Sequence, residues 1–128
     1  MTIELWMLLG SAAILFVLLM LQQLHLDLTE GAKYALSNRS EMIAKSALSG
    51  RIDRAINNLR ENLILFTPVV LVLAAIDLST GATQTGAIIF FIARIVHAAT
   101  YVLGITVVRS LGWFAGIIGI GIMLSALF

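Results

Sequence analysis

The sequence predicts an all-α integral membrane protein, a bundle of four transmembrane helices, and three observations carry that prediction. Of 128 residues, 60% are apolar and only 12% are charged, whereas a water-soluble domain carries about a quarter charged residues. Mean hydropathy is +1.03, so polar groups cannot cover the exterior and the solvent for most of the chain is lipid. Four long apolar runs lack the alternation of barrel strands. Backbone amides find no water in hydrocarbon, so each run has to be helical. The length suits a single domain over residues 1–128.

The first span is expected at about 3–24, with Glu4 near its outer end. It has no basic leading region, and Leu21-Gln-Gln-Leu24 is a poor cleavage site, so it reads as an uncleaved span rather than a signal peptide. The second is expected at about 55–76. Leu63–Ile76 is too short alone, but the helical pattern continues backward through Arg51–Asn62 as polar turns below the bilayer. Pro68 removes one hydrogen bond near its middle and should kink it. The third is expected at about 86–108, interrupted by Arg94 and His97. The fourth, 111–128, is roughly 27 Å long at the helical rise, close to the hydrocarbon thickness. Residues 29–50 read as an ordered cytoplasmic loop with a turn or helix start at Ser37–Ser40.

Charge placement sets the topology. Lys33, Arg39, Lys45, Arg51, Arg54 and Arg60 lie between the first two runs, and Arg109 falls on the same side by parity. The connection at Ser79–Thr85 has no basic residue. Positive residues stay in the cytoplasm, so both termini are expected outside. A net charge of +1 gives no electrostatic case for nucleic acid. Without cysteine there is no disulfide, zinc-thiolate site or protein thiol, so sulfur chemistry has to come from a ligand.

Several polar residues need explaining. Arg54, Asn58, Glu61 and Asn62 share one helical stripe on the second span. That stripe is either a solvated juxtamembrane face or one wall of a polar cavity. Arg94, His97 and Tyr101 form another stripe within the third span. An intramembrane Arg costs at least ~2.5 kcal/mol and is normally paired inside a bundle, and Glu61 is the expected partner. Their pair fixes helix register, floors a polar cavity, or does both. His97 reads as a buried histidine, because His25 is far off and no metal-ligand set exists. Tyr101 reads as an interfacial anchor or a cavity residue; Trp6, Trp113 and Phe114 are better belt candidates. Arg109 and Ser110 are expected where the third span ends and the fourth begins, with Arg109 as a charge anchor or a site residue. Gly112 and Gly116 form a small-x-x-x-small pair, extended by Gly119 and Ala115, which permits close helix approach.

Two runs carry a family resemblance. Arg51-Ile-Asp-Arg-Ala-Ile-Asn-Asn-Leu-Arg-Glu-Asn-Leu-Ile-Leu-Phe66 and Ala93-Arg-Ile-Val-His-Ala-Ala-Thr-Tyr101 resemble the second- and third-helix signatures of the MAPEG family, membrane-associated proteins in eicosanoid and glutathione metabolism. Arg109-Ser110 falls where that family has its Arg before the fourth helix, and Ser37-Asn-Arg and Tyr101-Val-Leu-Gly-Ile look most like its bacterial branch. The resemblance implies a homotrimer in a bacterial inner membrane, both termini periplasmic, holding glutathione at the cytoplasmic side between adjacent subunits. Arg54, Asn58, Glu61 and Asn62 would contact the tripeptide, Arg94, His97 and Tyr101 would line or brace the cavity, and Arg109, next to Ser110, would stand beside the thiol. An apolar electrophile or lipid hydroperoxide would arrive from the lipid. At the end of the first helix, where family enzymes often carry further Arg residues, Lys33 is the only candidate, beside Glu30. Asn57 stands where the prostaglandin synthase branch has Arg, so an eicosanoid substrate is not expected.

Three functions compete. The first is a glutathione-dependent transferase or peroxidase acting on small apolar compounds, with Arg109 stabilising the thiolate. The second is a non-catalytic lipid- or thiol-ligand-binding protein of the same fold. The third, a small proton-coupled exchanger, needs an ionisable residue in mid-span facing a pore, and Glu4 lies too near the end of its span.

Overall fold

A computed structural model describes residues 1–128 and contains helices only: α1 Ile3–Glu30, the short α2 Ala32–Ala35, α3 Ala47–Ala75, α4 Gly81–Leu103 and α5 Thr106–Ser125. Four of them, α1, α3, α4 and α5, are long and apolar enough to cross a membrane. Their outer surfaces match lipid. Only 26 of the 128 residues are buried, while Phe16, Val17 and Ile64 stand more than 60% exposed.

Local chemistry sets the helix ends. The Thr2 and Ser46 hydroxyls accept from the amides of Leu5 and Ser49 at the starts of α1 and α3. Thr80 and Thr83 form a reciprocal capping box at the start of α4. Gly104, at φ +80°, ends α4 in the left-handed conformation that a side chain disfavours. Two helices therefore overrun the expected spans, whereas α4 ends at Leu103, short of the expected 108. α1 reaches Glu30 rather than 24, and α3 begins at Ala47 rather than 55. Apolar content marks the depth of hydrocarbon, whereas a helix continues until a cap stops it. The last connection is corrected as well. It lies at Gly104–Ile105, so Arg109 and Ser110 sit in the first turns of α5, not at the end of the preceding helix. Pro68 is accommodated inside α3, which continues through it.

α4 is the hub, packing against α1, α3 and α5, whereas α5 leaves α1 untouched and meets α3 only briefly. Two apolar clusters fill the bundle. One joins Phe66, Val70 and Leu73 of α3 to Phe90 of α4 and Met123 of α5, with Phe66 and Phe90 stacked at 3.8 Å. The other joins Leu18 to Ile52, Ile56, Leu59 and Ala98. Glycines let α5 approach α4 so closely that a Cβ at Gly119 would lie 2.6 Å from the Gly86 carbonyl oxygen.

The two ends of the bundle differ in polarity. At the end that carries both termini, buried Glu4 accepts from Thr83 Oγ1 at 2.5 Å and from Ser79 Oγ at 3.1 Å, tying α1 to the start of α4. At the opposite, basic end, Asp53 of α3 is bonded by Gln22 of α1 and by Lys45. Each tie supplies a buried or half-buried carboxylate with donors, as a polar group leaving water requires.

Candidate cleft between α3 and α5

Because α5 follows α4 and scarcely touches α3, a cleft opens between α3 and α5 toward the basic end, with α4 as its floor. Its cavity of about 270 Å³ is lined by Asn58 of α3, His97 and Tyr101 of α4, and Arg109, Ser110, Trp113 and Phe114 of α5. Five of the residues expected at the site thus meet in one place: Asn58, His97, Tyr101, Arg109 and Ser110.

Arg94 pins the cleft from beneath. It is 1% exposed, and its Nη1 donates to Asn58 Oδ1 at 3.2 Å while Nη2 donates to the Gly112 carbonyl at 2.8 Å. One guanidinium on α4 therefore links α3 to α5, which otherwise barely meet. Gly116 makes room for it, since a Cβ there would sit 3.0 Å from Arg94 Cζ. The small-residue pair on α5 has two consequences: helix approach, and a slot for a buried cation. Arg94 also lies over the Phe90 ring at 5.4 Å, a favourable place for a desolvated cation.

The expected Arg94–Glu61 ion pair is not formed. The only salt bridge in the chain joins Lys45 to Asp53. At about 100° per residue the α3 stripe spans roughly 100°, with Asn62 at one edge and Arg54 and Glu61 near the other. Burial follows that angle: Asn62 is buried, Asn58 half-buried, and Arg54 and Glu61 are exposed. Arg94 meets the amide side of the stripe, so neutral oxygens take the donors. Asn62 Nδ2 in turn donates to the Asn58 carbonyl at 2.8 Å. Arg94 Nε and Asn62 Oδ1 are left without partners although both are buried.

Above this floor Tyr101 is a platform for charge. The Arg109 guanidinium lies 4.6 Å from its ring centroid, that of Arg54 lies 5.9 Å away, and the His97 ring packs tilted at 5.4 Å. Ser110 Oγ donates to the Thr106 carbonyl at 3.3 Å, which leaves its oxygen free to accept. Trp113 and Phe114, read from sequence as belt residues, form an edge-to-face pair in the cleft wall. Trp113 stands four residues after Arg109, one helical turn on, and that spacing was the available signal. Lys33 is not brought to the cleft. It lies exposed on α2, in a separate surface depression with Glu30, Tyr34 and Glu41.

The arrangement can hold an anion in a half-apolar cleft: a guanidinium fixed over an aromatic ring, a hydroxyl and an imidazole nearby, and an aromatic wall beside them. No curated protein and no solved structure matches the chain. The model of the MAPEG family, by contrast, matches residues 5–128 and so covers nearly the whole sequence, and on that match the chain belongs to the MAPEG family.

Proposed function

We propose that this chain is a membrane-bound glutathione-dependent transferase or peroxidase acting on apolar electrophiles or lipid hydroperoxides. The family's general association with glutathione-linked transfer, peroxidase or ligand-binding roles supports the broad class. The observation that carries the finer reading is the position of Arg109, stacked on Tyr101 and facing one cleft with Asn58, His97 and Ser110.

The donor set fits the anionic parts of glutathione. Arg109 and Arg54 supply guanidinium groups for thiolate and carboxylate, and Asn58 and Ser110 supply neutral polar contacts. Exposed Glu61, on the α3 flank beside Arg54, is the group suited to the ammonium. Asn62 and Arg94, each with one unpartnered buried atom, brace this wall from inside.

Bound glutathione supplies a thiol, ordinarily of pKa about 8.5. Arg109 favours its ionised form, because a fixed positive charge beside sulfur stabilises the thiolate more than the thiol. Tyr101 holds that guanidinium in place, and Trp113 and Phe114 give an apolar electrophile a surface to lie on. The flank of the cleft that α5 leaves open is where a second copy of the chain would close the site, in line with a homotrimer. The basic end faces the cytoplasm in this reading, with both termini periplasmic and the inner membrane of a bacterium as the setting.

Adding glutathione to the purified protein should raise thiolate absorbance in the ultraviolet, and Arg109→Ala should abolish the rise. Turnover of an activated aryl halide should fall with it. Normal spectra and no tripeptide binding would refute the proposal. Binding without turnover would assign the chain to the ligand-binding side of the family.

A further inference from the structure

A second cavity lies on the other side of α4, away from the cleft. It is an apolar groove of about 660 Å³ between α1 and α4, flanked by Ala13, Val17 and Leu21 on one side and Phe91, Ala99 and Val102 on the other. Gly10 and Phe91 close its inner end, since a Cβ on Gly10 would come within 2.7 Å of the Phe91 ring. From Phe91 to Leu103 the groove runs roughly 18 Å at the helical rise, slightly more than the ~15 Å hydrocarbon depth of one leaflet. It reaches the end of α4 at the basic face.

Arg51 stands at that end. Its Nε donates to the Val102 carbonyl at 3.0 Å, and the side chain lies across Gly104, where a Cβ would be 3.7–3.8 Å from it. Holding the Val102 carbonyl occupies Nε alone, and the two terminal nitrogens bond no group of the chain. A guanidinium with free donors is thus bonded to Val102, a residue that lines the basic end of an apolar trough one leaflet deep. We propose that this groove binds a phospholipid with an anionic headgroup, one acyl chain between α1 and α4 and the phosphate on Arg51. The trough supplies apolar contact without headgroup preference, the charge-assisted bond to phosphate anchors the headgroup, and the positive charge of Arg51 favours a headgroup that carries no cation of its own.

The test is retention of lipid by the full-length protein in detergent, read by native mass spectrometry after delipidation and re-addition of phosphatidylglycerol or phosphatidylcholine. The wild type should hold phosphatidylglycerol about tenfold more tightly, because phosphatidylcholine offers the same phosphate with a quaternary ammonium beside it that repels the Arg51 guanidinium. Arg51→Gln should erase that preference and leave weak binding of both lipids. Ala99→Phe, at an exposed position in the trough, should abolish retention of both. The inference is overturned if the wild type shows no preference, or if Arg51→Gln retains it. It is also overturned if Ala99→Phe changes the oligomeric state while lipid retention persists, because a second copy of the chain would then be the occupant. Glutathione binding, measured in parallel, should be unchanged in both variants, so the outcome is independent of the cleft's own ligand.

Discussion

Replacing Gly119 by Ala is the sharpest probe of how α5 is seated. The new Cβ would lie 2.6 Å from the Gly86 carbonyl oxygen and 2.9 Å from the Phe90 amide nitrogen. Both are backbone atoms of α4, so no side-chain rotation relieves the clash and the helices must move apart. Overpacking of this kind costs about 1–3 kcal/mol, and an obstacle made of backbone belongs at the upper end. Against it stands a gain of about 1 kcal/mol, because Ala is the better helix former. The expected net loss is about 1–2 kcal/mol. Gly121→Ala is the control, since a Cβ there meets nothing within 4 Å. It keeps the propensity gain and should be neutral or stabilising. Unfolding titrations of both variants in mixed micelles measure the difference, expected at about 2–3 kcal/mol. Equal stabilities would refute the close α4–α5 approach, and with it the reason for a glycine at this position.

Three further outcomes follow from the cleft and the polar ties. Arg94→Lys should cost about 1–3 kcal/mol in the same titration, because an ammonium cannot serve Asn58 Oδ1 and the Gly112 carbonyl with the same fork. It should weaken glutathione binding as well, by loosening α3 from α5. Tyr101→Phe should preserve the thiolate signal within about twofold, since the ring rather than the hydroxyl carries Arg109, whereas Tyr101→Leu should lose most of it. Glu4→Ala removes the acceptor shared by Ser79 and Thr83 and should cost about 1.5–3 kcal/mol while leaving glutathione affinity unchanged, because it lies at the far end of the bundle.

The number of spans and the identity of most cleft residues were legible in the sequence, for a physical reason. Lipid punishes polar groups so heavily that each one kept inside a span marks a partner or a cavity. Arg94 stood out on that ground alone, whereas Asn58, in turns read as lying below the bilayer, and His97, read as a buried histidine, were placed at a site by the family resemblance. Partner choice was not legible. Arg94 against Glu61 satisfies charge, but the angular position of Asn58 on α3 and the bare Gly112 carbonyl on α5 decide which acceptor the guanidinium reaches. Opposite charges predict attraction; only helix phase tells which side chain is in reach. Helix ends were misplaced in the same way, since hydropathy sees hydrocarbon and Gly104 sees φ. The outer Glu4 tie escaped because its partners are two hydroxyls in a polar-looking connection, which leave no charge pattern to read.

How can a bundle this small keep a polar cleft open inside a membrane? Apolar packing cannot do it, because helices that attract along their whole length close every gap. Here the two functions are divided among helix pairs. α4 and α5 are fused by glycine contacts, and apolar clusters join α1, α3 and α4 but take in α5 only toward the end that carries the termini, which leaves the face between α3 and α5 open toward the basic end. Arg94 then sets their separation at one point, through neutral acceptors on both sides. A carboxylate partner would have drawn the guanidinium toward one helix and neutralised it there. Shared between an amide oxygen and a backbone carbonyl, its positive charge stays uncompensated beneath the cleft, and it adds to that of Arg109 in favouring an anion above. The residue that ties the walls at a set distance thereby also tunes what can bind between them. Arg94→Met would test that coupling: a fold retained with weakened thiolate formation is the expected result, and unchanged thiolate formation would separate scaffold from chemistry and defeat the argument.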